Sequence, residues 1–140
     1  MRIAAIVMAA GLSTRFGEDK LIEPFHNVPI LEWTVRAVRE SKFIEKLIVV
    51  TGKRFDFWKR FYSDASKIEV IKNLTPELGQ SRSIVLGIKR VREWADACVF
   101  IPGDMPLVPT NLIDRLCGNF NPASYDILRT SVDGKPNSPV

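Results

Sequence analysis

Two stretches of this sequence carry residue types that could do chemistry together. The first, "AAGLSTRFGEDKL" at residues 9–21, places two glycines, two hydroxyls, an arginine and a lysine within thirteen positions. Glycine lets backbone N–H groups approach an anion closely, and Ser13, Thr14, Arg15 and Lys20 add donors and positive charge, a set suited to a polyphosphate. The second, "VFIPGDMPLVP" at residues 99–109, ends an apolar run in Pro-Gly and delivers Asp104, with Gly103 and Pro106 shaping the turn. A carboxylate there can hold Mg²⁺ against phosphate oxygens, neutralising charge that Arg15 and Lys20 do not cover alone. Either stretch by itself is compatible with an ordinary turn, because glycine and aspartate favour turns for local reasons. Together they point to nucleotide chemistry.

The two common phosphate fingerprints do not fit. A dinucleotide loop needs G-x-G-x-x-G and an acid at the end of the second strand, but Gly11 and Gly17 stand alone and that strand ends in Thr51-Gly52. A Walker loop needs G-x-x-x-x-G-K-[ST]; here five residues separate the glycines, and Glu18-Asp19 precede the lysine.

Positioning such loops requires a scaffold, and the order of apolar patterns supplies one. Short β-rich runs at Ile3–Met8, Leu47–Thr51, Ile68–Ile71, Cys98–Ile101 and Tyr125–Thr130 read as strands. Between them, "PILEWTVRAVRES" places Leu31, Val35 and Val38 on one helical face, and "SIVLGIKRVREWA" does so with Ile84, Ile88, Val91 and Ala95. The aromatic group Phe57, Trp58, Phe61 and Tyr62 reads as a helix covering the sheet rather than a base-stacking platform. A further helix is expected from Thr110 as N-cap, carrying Leu112, Ile113 and Leu116 inward. Alternating strands and helices predict an α/β domain of three layers, α/β/α, with a mostly parallel sheet. Ligands of such sheets bind outside the carboxyl ends of the strands, where both stretches fall.

Length and composition agree with one soluble domain over residues 1–140, with 46% apolar and 26% charged residues. A net charge of +4 favours anionic partners in general but is too mild to identify one, and neither nucleic acid nor a membrane is expected. Met1-Arg2 followed by "IAAIVMAAG" imitates a secretory signal, yet the apolar run is short and passes straight into the glycine loop, as a buried first strand would. No run approaches the roughly twenty apolar residues of a membrane span, so a cytoplasmic location is expected. Cys98 and Cys117 lack CxxC spacing and read as reduced thiols, with no disulfide and no zinc expected. The single histidine, His26 in "EPFHNVPI", reads as a turn residue rather than a catalyst.

"MAAGLSTRFGEDKL" resembles the signature of the molybdenum cofactor nucleotidyltransferases and their relatives, whose loop runs A-[AG]-G-x-S-x-R-[FM]-G-x-D-K. "GDMPLV" is similar to the motif after their metal-binding strand, and "NLTPELGQSRSIVLGI" at 73–88 resembles the segment before their third helix, with Gly79, Ser83, Ile84 and Gly87 at matching spacing. The three motifs cover the chain up to about residue 109.

The resemblance implies a GT-A-like nucleotide-binding fold that transfers a nucleotidyl group from an NTP to a phosphorylated small-molecule acceptor, releasing pyrophosphate. The Ala-Ala-Gly loop and Gly-Asp-Met-Pro resemble the cytidylyltransferase branch, which implies CTP and molybdopterin; guanylyltransferases more often show Ala-Gly-Gly. Carried over, Met8, Ala9, Ala10 and Gly11 would contact the nucleotide through the backbone. The turn from Gly11 to Gly17, with Ser13 and Arg15, would cradle the departing β- and γ-phosphates. Lys20 would stabilise charge at the α-phosphate, Asp104 would hold Mg²⁺, and Gly79, Ser81 and Ser83 would line the base and ribose. No general base is evident, and an anionic acceptor phosphate needs none.

Family members continue for several tens of residues past "DGKPNSPV", with another strand, acceptor contacts and usually a second acidic metal ligand, a part this sequence lacks. The resemblance also implies a partner that receives the finished cofactor. A nucleotide-binding module without catalysis, a guanylyltransferase and a sugar-phosphate nucleotidyltransferase are the alternatives.

Overall fold

The computed structural model describes residues 1–11, 17–124, 126–132 and 135–136. Four strands form the central sheet: β1 (Ile3–Ala9), β4 (Ile44–Thr51), β5 (Ile68–Lys72) and β6 (Ala97–Pro102). Two small hairpins, β2–β3 (Pro24–Phe25 and Val28–Pro29) and β7–β8 (Ser131–Val132 and Lys135–Pro136), stand outside it. The helices are α1 (Ile30–Arg39), α2 (Phe55–Phe61), α3 (Gln80–Val91) and α4 (Thr110–Asn119), with 3-10 turns at Gly17–Ile22 and Pro76–Leu78.

The sheet is wholly parallel in the order β5-β4-β1-β6. Its apolar alternation divides the core in two. Ile3, Ala5, Val7 and Ala9 of β1 and Leu47 and Val49 of β4 meet Leu31, Val35 and Val38 of α1, Trp58 of α2 and Ile113 of α4. Ala4, Ile6, Ile48 and Val50 face the other way and pack with Val91 of α3. Helices therefore cover both faces, which is why these strands read as continuous apolar runs rather than alternating ones. The register aligns Ala9 with Thr51, Thr51 with Lys72, and Met8 with Pro102, so four strands end at one carboxyl edge. Because β4 and β5 lie to one side of β1 and β6 to the other, the order of the strands reverses between β1 and β6, which makes that edge a topological switch point.

The structure corrects several expectations. Asp126–Thr130 form no strand, and Ile127 is 81% exposed; Tyr125 lies outside the described residues. Strand pairing is non-local, and this β-prone run has no sheet partner among the described residues. On α3 the buried face is Ser83, Gly87 and Val91, while Ile88 is exposed. The helix turns its smallest residue to the sheet: a Cβ on Gly87 would stand 2.6 Å from Ile6 Cγ2. Thr110 does not cap α4. Pro109 takes the cap position, and the Thr110 hydroxyl donates to Ala37 O at 2.8 Å, tying α4 to α1. Ile113 is buried as expected, with Leu112 and Leu116 only half-buried.

Of the aromatic group, Trp58 and Tyr62 are buried and stack at 5.9 Å, while Phe57 and Phe61 remain partly exposed. Tyr62 Oη donates to Glu32 Oε1 at 3.5 Å beneath α1. Burial raises the Glu32 carboxyl above its ordinary range, against the opposing pull of Arg39, Arg36 and the tyrosine. His26 and Asn27 both adopt left-handed φ, 50° and 64°, as the central pair of the β2–β3 hairpin, so His26 is a turn residue.

Candidate nucleotide site at the carboxyl edge

The chain leaving β1 is buried through Ala9 and Ala10 and emerges at Gly11, where an added Cβ would meet nothing within 4 Å among the described residues. Ser13 and Arg15 lie outside the described residues. The described backbone resumes at Gly17, which opens the 3-10 turn carrying Lys20. Two anchors hold that turn. Leu21 is buried in the core, and Asp19 Oδ1 accepts from Arg54 Nε at 2.9 Å and Nη2 at 2.8 Å. The half-buried Lys20 is thereby tied to the loop that follows β4.

Across β1, β6 ends in a tightly fitted turn. Gly103 N–H donates to Met8 O at 2.9 Å, extending the ladder one residue past the strand. A Cβ at Gly103 would stand 2.9 Å from Leu31 Cδ1 and 3.0 Å from Met8 O, so a side chain there would force the strands or α1 apart. Thr34, fully buried on α1, donates through Oγ1 to Gly103 O at 2.8 Å and accepts from Met105 N–H at 3.1 Å. Asp104 stands exposed between these two backbone groups.

The third segment joins β5 to α3. Asn73 is buried, its N–H donates to Thr51 O at 2.7 Å, and its Oδ1 accepts from Thr75 N–H at 2.9 Å. Its Nδ2 donates to Ser83 Oγ at 3.1 Å, so the Ser83 hydroxyl is engaged beneath the helix start while Ser81 is exposed. Gly79 precedes α3 at φ 96° and ψ 177°, a conformation essentially confined to glycine. The α3 amino terminus follows it at the carboxyl edge, where backbone N–H groups and the helix dipole favour an anion.

The structure thus brings Met8 to Gly11, Lys20, Gly79 to Ser81 and Asp104 to one edge of the sheet. Sequence reasoning missed Thr34, Asn73 and Arg54, which order those segments from behind. A threonine on the apolar face of a helix was the signal available for Thr34; for Arg54 there was none.

A family model described as "MobA-like NTP transferase domain" matches residues 5–140. The chain belongs to the MobA-like NTP transferase family. It is 27% identical to the molybdenum cofactor cytidylyltransferase of Escherichia coli K12, covering 96% of this chain and 68% of that protein. It is 31% identical to a probable molybdenum cofactor guanylyltransferase of Pyrococcus furiosus, covering 86% of this chain and 57% of the relative. A 2-C-methyl-D-erythritol 4-phosphate cytidylyltransferase of Dictyoglomus thermophilum matches at 31% identity over 82% of this chain and 50% of its own. The chain therefore spans between half and about two thirds of these relatives. Among solved structures, Rv0371c of Mycobacterium tuberculosis H37Rv superposes with a TM-score of 0.70 at 25% identity, covering 84% of this chain and 59% of that one. A CMP:2-keto-3-deoxy-manno-octonic acid synthetase complexed with CTP superposes at 0.71 with 14% identity, covering 84% and 46%, a likeness of fold alone. The parallel, helix-covered central sheet of this MobA-like chain is of the GT-A-like type. Among the described residues, no helix is long and apolar enough to cross a membrane.

Proposed function

We propose that this chain carries the nucleotide-binding part of a nucleotidyltransferase that moves CMP from CTP to a phosphorylated acceptor, molybdopterin, in the cytoplasm. The observation that carries the reading is the placement of three segments, Met8–Gly11, Gly79–Ser81 and Gly103–Asp104, at the carboxyl edge of a parallel sheet whose strand order reverses between β1 and β6. In the reaction an acceptor phosphate oxygen attacks the α-phosphorus of the NTP. One P–O bond forms as the bond to the β-phosphate breaks, and pyrophosphate leaves with the electron pair. Positioning and electrostatics do most of this work. Met8 to Gly11 contact the nucleotide through the backbone, and the segment from Gly11 to Gly17, with Ser13 and Arg15, holds the β- and γ-phosphates. Lys20 offsets charge at the α-phosphate, and Gly79 and Ser81 shape the base and ribose side, while Ser83, expected there too, is buried behind them and bonded to Asn73.

Asp104 offers a hard, exposed oxygen donor of the kind Mg²⁺ takes when it keeps several waters and borrows phosphate oxygens, so the residue present fits that ion. When bound, Mg²⁺ supplies charge neutralisation at the phosphates. The finished dinucleotide would pass to a receiving protein.

The names of similar proteins divide between cytidylyl and guanylyl transfer, which keeps GTP as a second reading. The test is pyrophosphate release with molybdopterin and either CTP or GTP, alongside competition binding of the two nucleotides. Release with CTP and preferential CTP binding are expected. A preference for GTP would move the protein to guanylyl transfer, and tight binding without release would leave a non-catalytic module.

A further inference from the structure

We infer that Thr34 is a positioning residue that sets the Asp104 carboxylate for its metal–nucleotide contact. The inference rests on the role proposed above for Asp104. Thr34 lies inside α1, remote in sequence from the turn it touches, and its hydroxyl is fully buried. A helical threonine ordinarily returns its hydroxyl to a carbonyl of its own helix. This one instead reaches out of the helix and bonds on both sides of a single residue, giving its proton to Gly103 O and receiving one from Met105 N–H. Asp104 is the residue between.

Two further restraints on that turn act at its entry. Gly103 N–H bonds to Met8 O, and Leu31, one turn before Thr34 on α1, closes the space over Gly103. These contacts fix where Gly103 sits, but neither of them touches the chain beyond Asp104. The Thr34 hydroxyl reaches Met105 N–H and so fixes the exit of the turn as well as its entry. A carboxylate on an exposed turn held at both ends has a restricted set of positions. A carboxylate that would hold a small ion such as Mg²⁺ benefits from that restriction.

The test measures nucleotide affinity with and without Mg²⁺ by calorimetry, using whichever of CTP and GTP the natural chain binds more tightly, on the natural chain and four variants. Asp104→Asn removes the proposed ligand. Thr34→Val keeps the shape of the side chain and removes both hydrogen bonds, Thr34→Ser restores the hydroxyl, and Thr34→Ala leaves room for a water to bridge if valine is not tolerated. The expected result is that Asp104→Asn abolishes the Mg²⁺ enhancement. Thr34→Val should reduce it about fivefold or more, on the scale of leaving two buried groups unpaired. Metal-free affinity should be unchanged in Thr34→Val, and Thr34→Ser should stay within about twofold of the natural protein, the hydroxyl being retained. If Asp104→Asn loses the enhancement and Thr34→Val keeps it, the positioning role falls and the reading of Asp104 stands. If Asp104→Asn itself keeps it, both fall. Loss of metal-free affinity in both Thr34→Val and Thr34→Ala also overturns the inference, since the hydroxyl would then support the fold at large.

Discussion

Replacing Gly103 by alanine tests whether the turn after β6 is held as closely as the structure describes. The new Cβ would sit 2.9 Å from Leu31 Cδ1 and 3.0 Å from Met8 O, well inside an ordinary contact of about 3.5–4.0 Å. Leu31 can yield by a small rotation, but Met8 O belongs to the central strand and is bonded to Gly103 N–H at 2.9 Å. Overpacking of this kind costs about 1–3 kcal/mol. Loss of chain entropy in the unfolded state returns about 0.4–1 kcal/mol, because Gly103 is not among the positive-φ residues. The net expectation is a destabilisation of about 1–2 kcal/mol, with a fall in Tm of roughly 3–8 °C for a chain of this size. Urea unfolding measures the first and a thermal melt the second. Combining the substitution with Leu31→Val should recover only part of the loss, because the backbone oxygen remains. A Gly103→Ala protein as stable as the natural one would refute the close fit of the Gly103 turn against Met8 and Leu31.

Lys20→Ala should leave the melting behaviour little changed while lowering nucleotidyl transfer by about a hundredfold, the scale of losing one electrostatic stabiliser; steady-state pyrophosphate release on the folded variant checks it, and unchanged turnover would remove Lys20 from the reaction. Glu32→Gln addresses a buried charge. The folded-state pKa of Glu32 is raised, chiefly by desolvation, so the native state binds the proton more tightly than the unfolded chain. Stability from this group is therefore present below its unfolded pKa and is lost as pH rises through the raised folded value. The stability difference between Glu32→Gln and the natural protein should grow in the variant's favour over that window and then level off, as read from denaturant titrations from about pH 4 to pH 8. A difference that stays flat would show that Arg39 and Arg36 fully offset the burial.

The parts of this molecule that were legible in its sequence are those decided locally or by uniform burial. β1, β4 and β6 announced themselves because a parallel strand covered on both faces is apolar throughout, and α1 did so through Leu31, Val35 and Val38, all fully buried. The face of α3 was not legible, because hydrophobicity favours Ile88, whereas the fit of Gly87 against Ile6 depends on a strand at the far end of the sequence. Thr110 has the residue type of a cap, but its hydroxyl is taken by Ala37 of another helix. Among the candidate site residues, Lys20 and Asp104 stood out by residue type and loop, and Gly79 through the family resemblance; the structure places all three at the carboxyl edge. Thr34 and Arg54 did not, since what they do is defined by partners 69 and 35 positions distant, which no local pattern encodes.

The central place of β1 has a kinetic consequence. Paired to β4 on one side and β6 on the other, and with Ala4, Ala5, Ile6 and Val7 wholly inaccessible, its backbone amides can exchange with solvent deuterium only when the whole sheet opens. The Met8 carbonyl that receives Gly103 belongs to the same slow-exchanging unit. The strand beneath the proposed nucleotide site is thus as long-lived as the native state itself. The segment between Asn73 and Gly79, where Leu74 and Leu78 are 79% and 65% exposed, has no such cover. Deuterium uptake there, and not along β1, would report that the site has been filled.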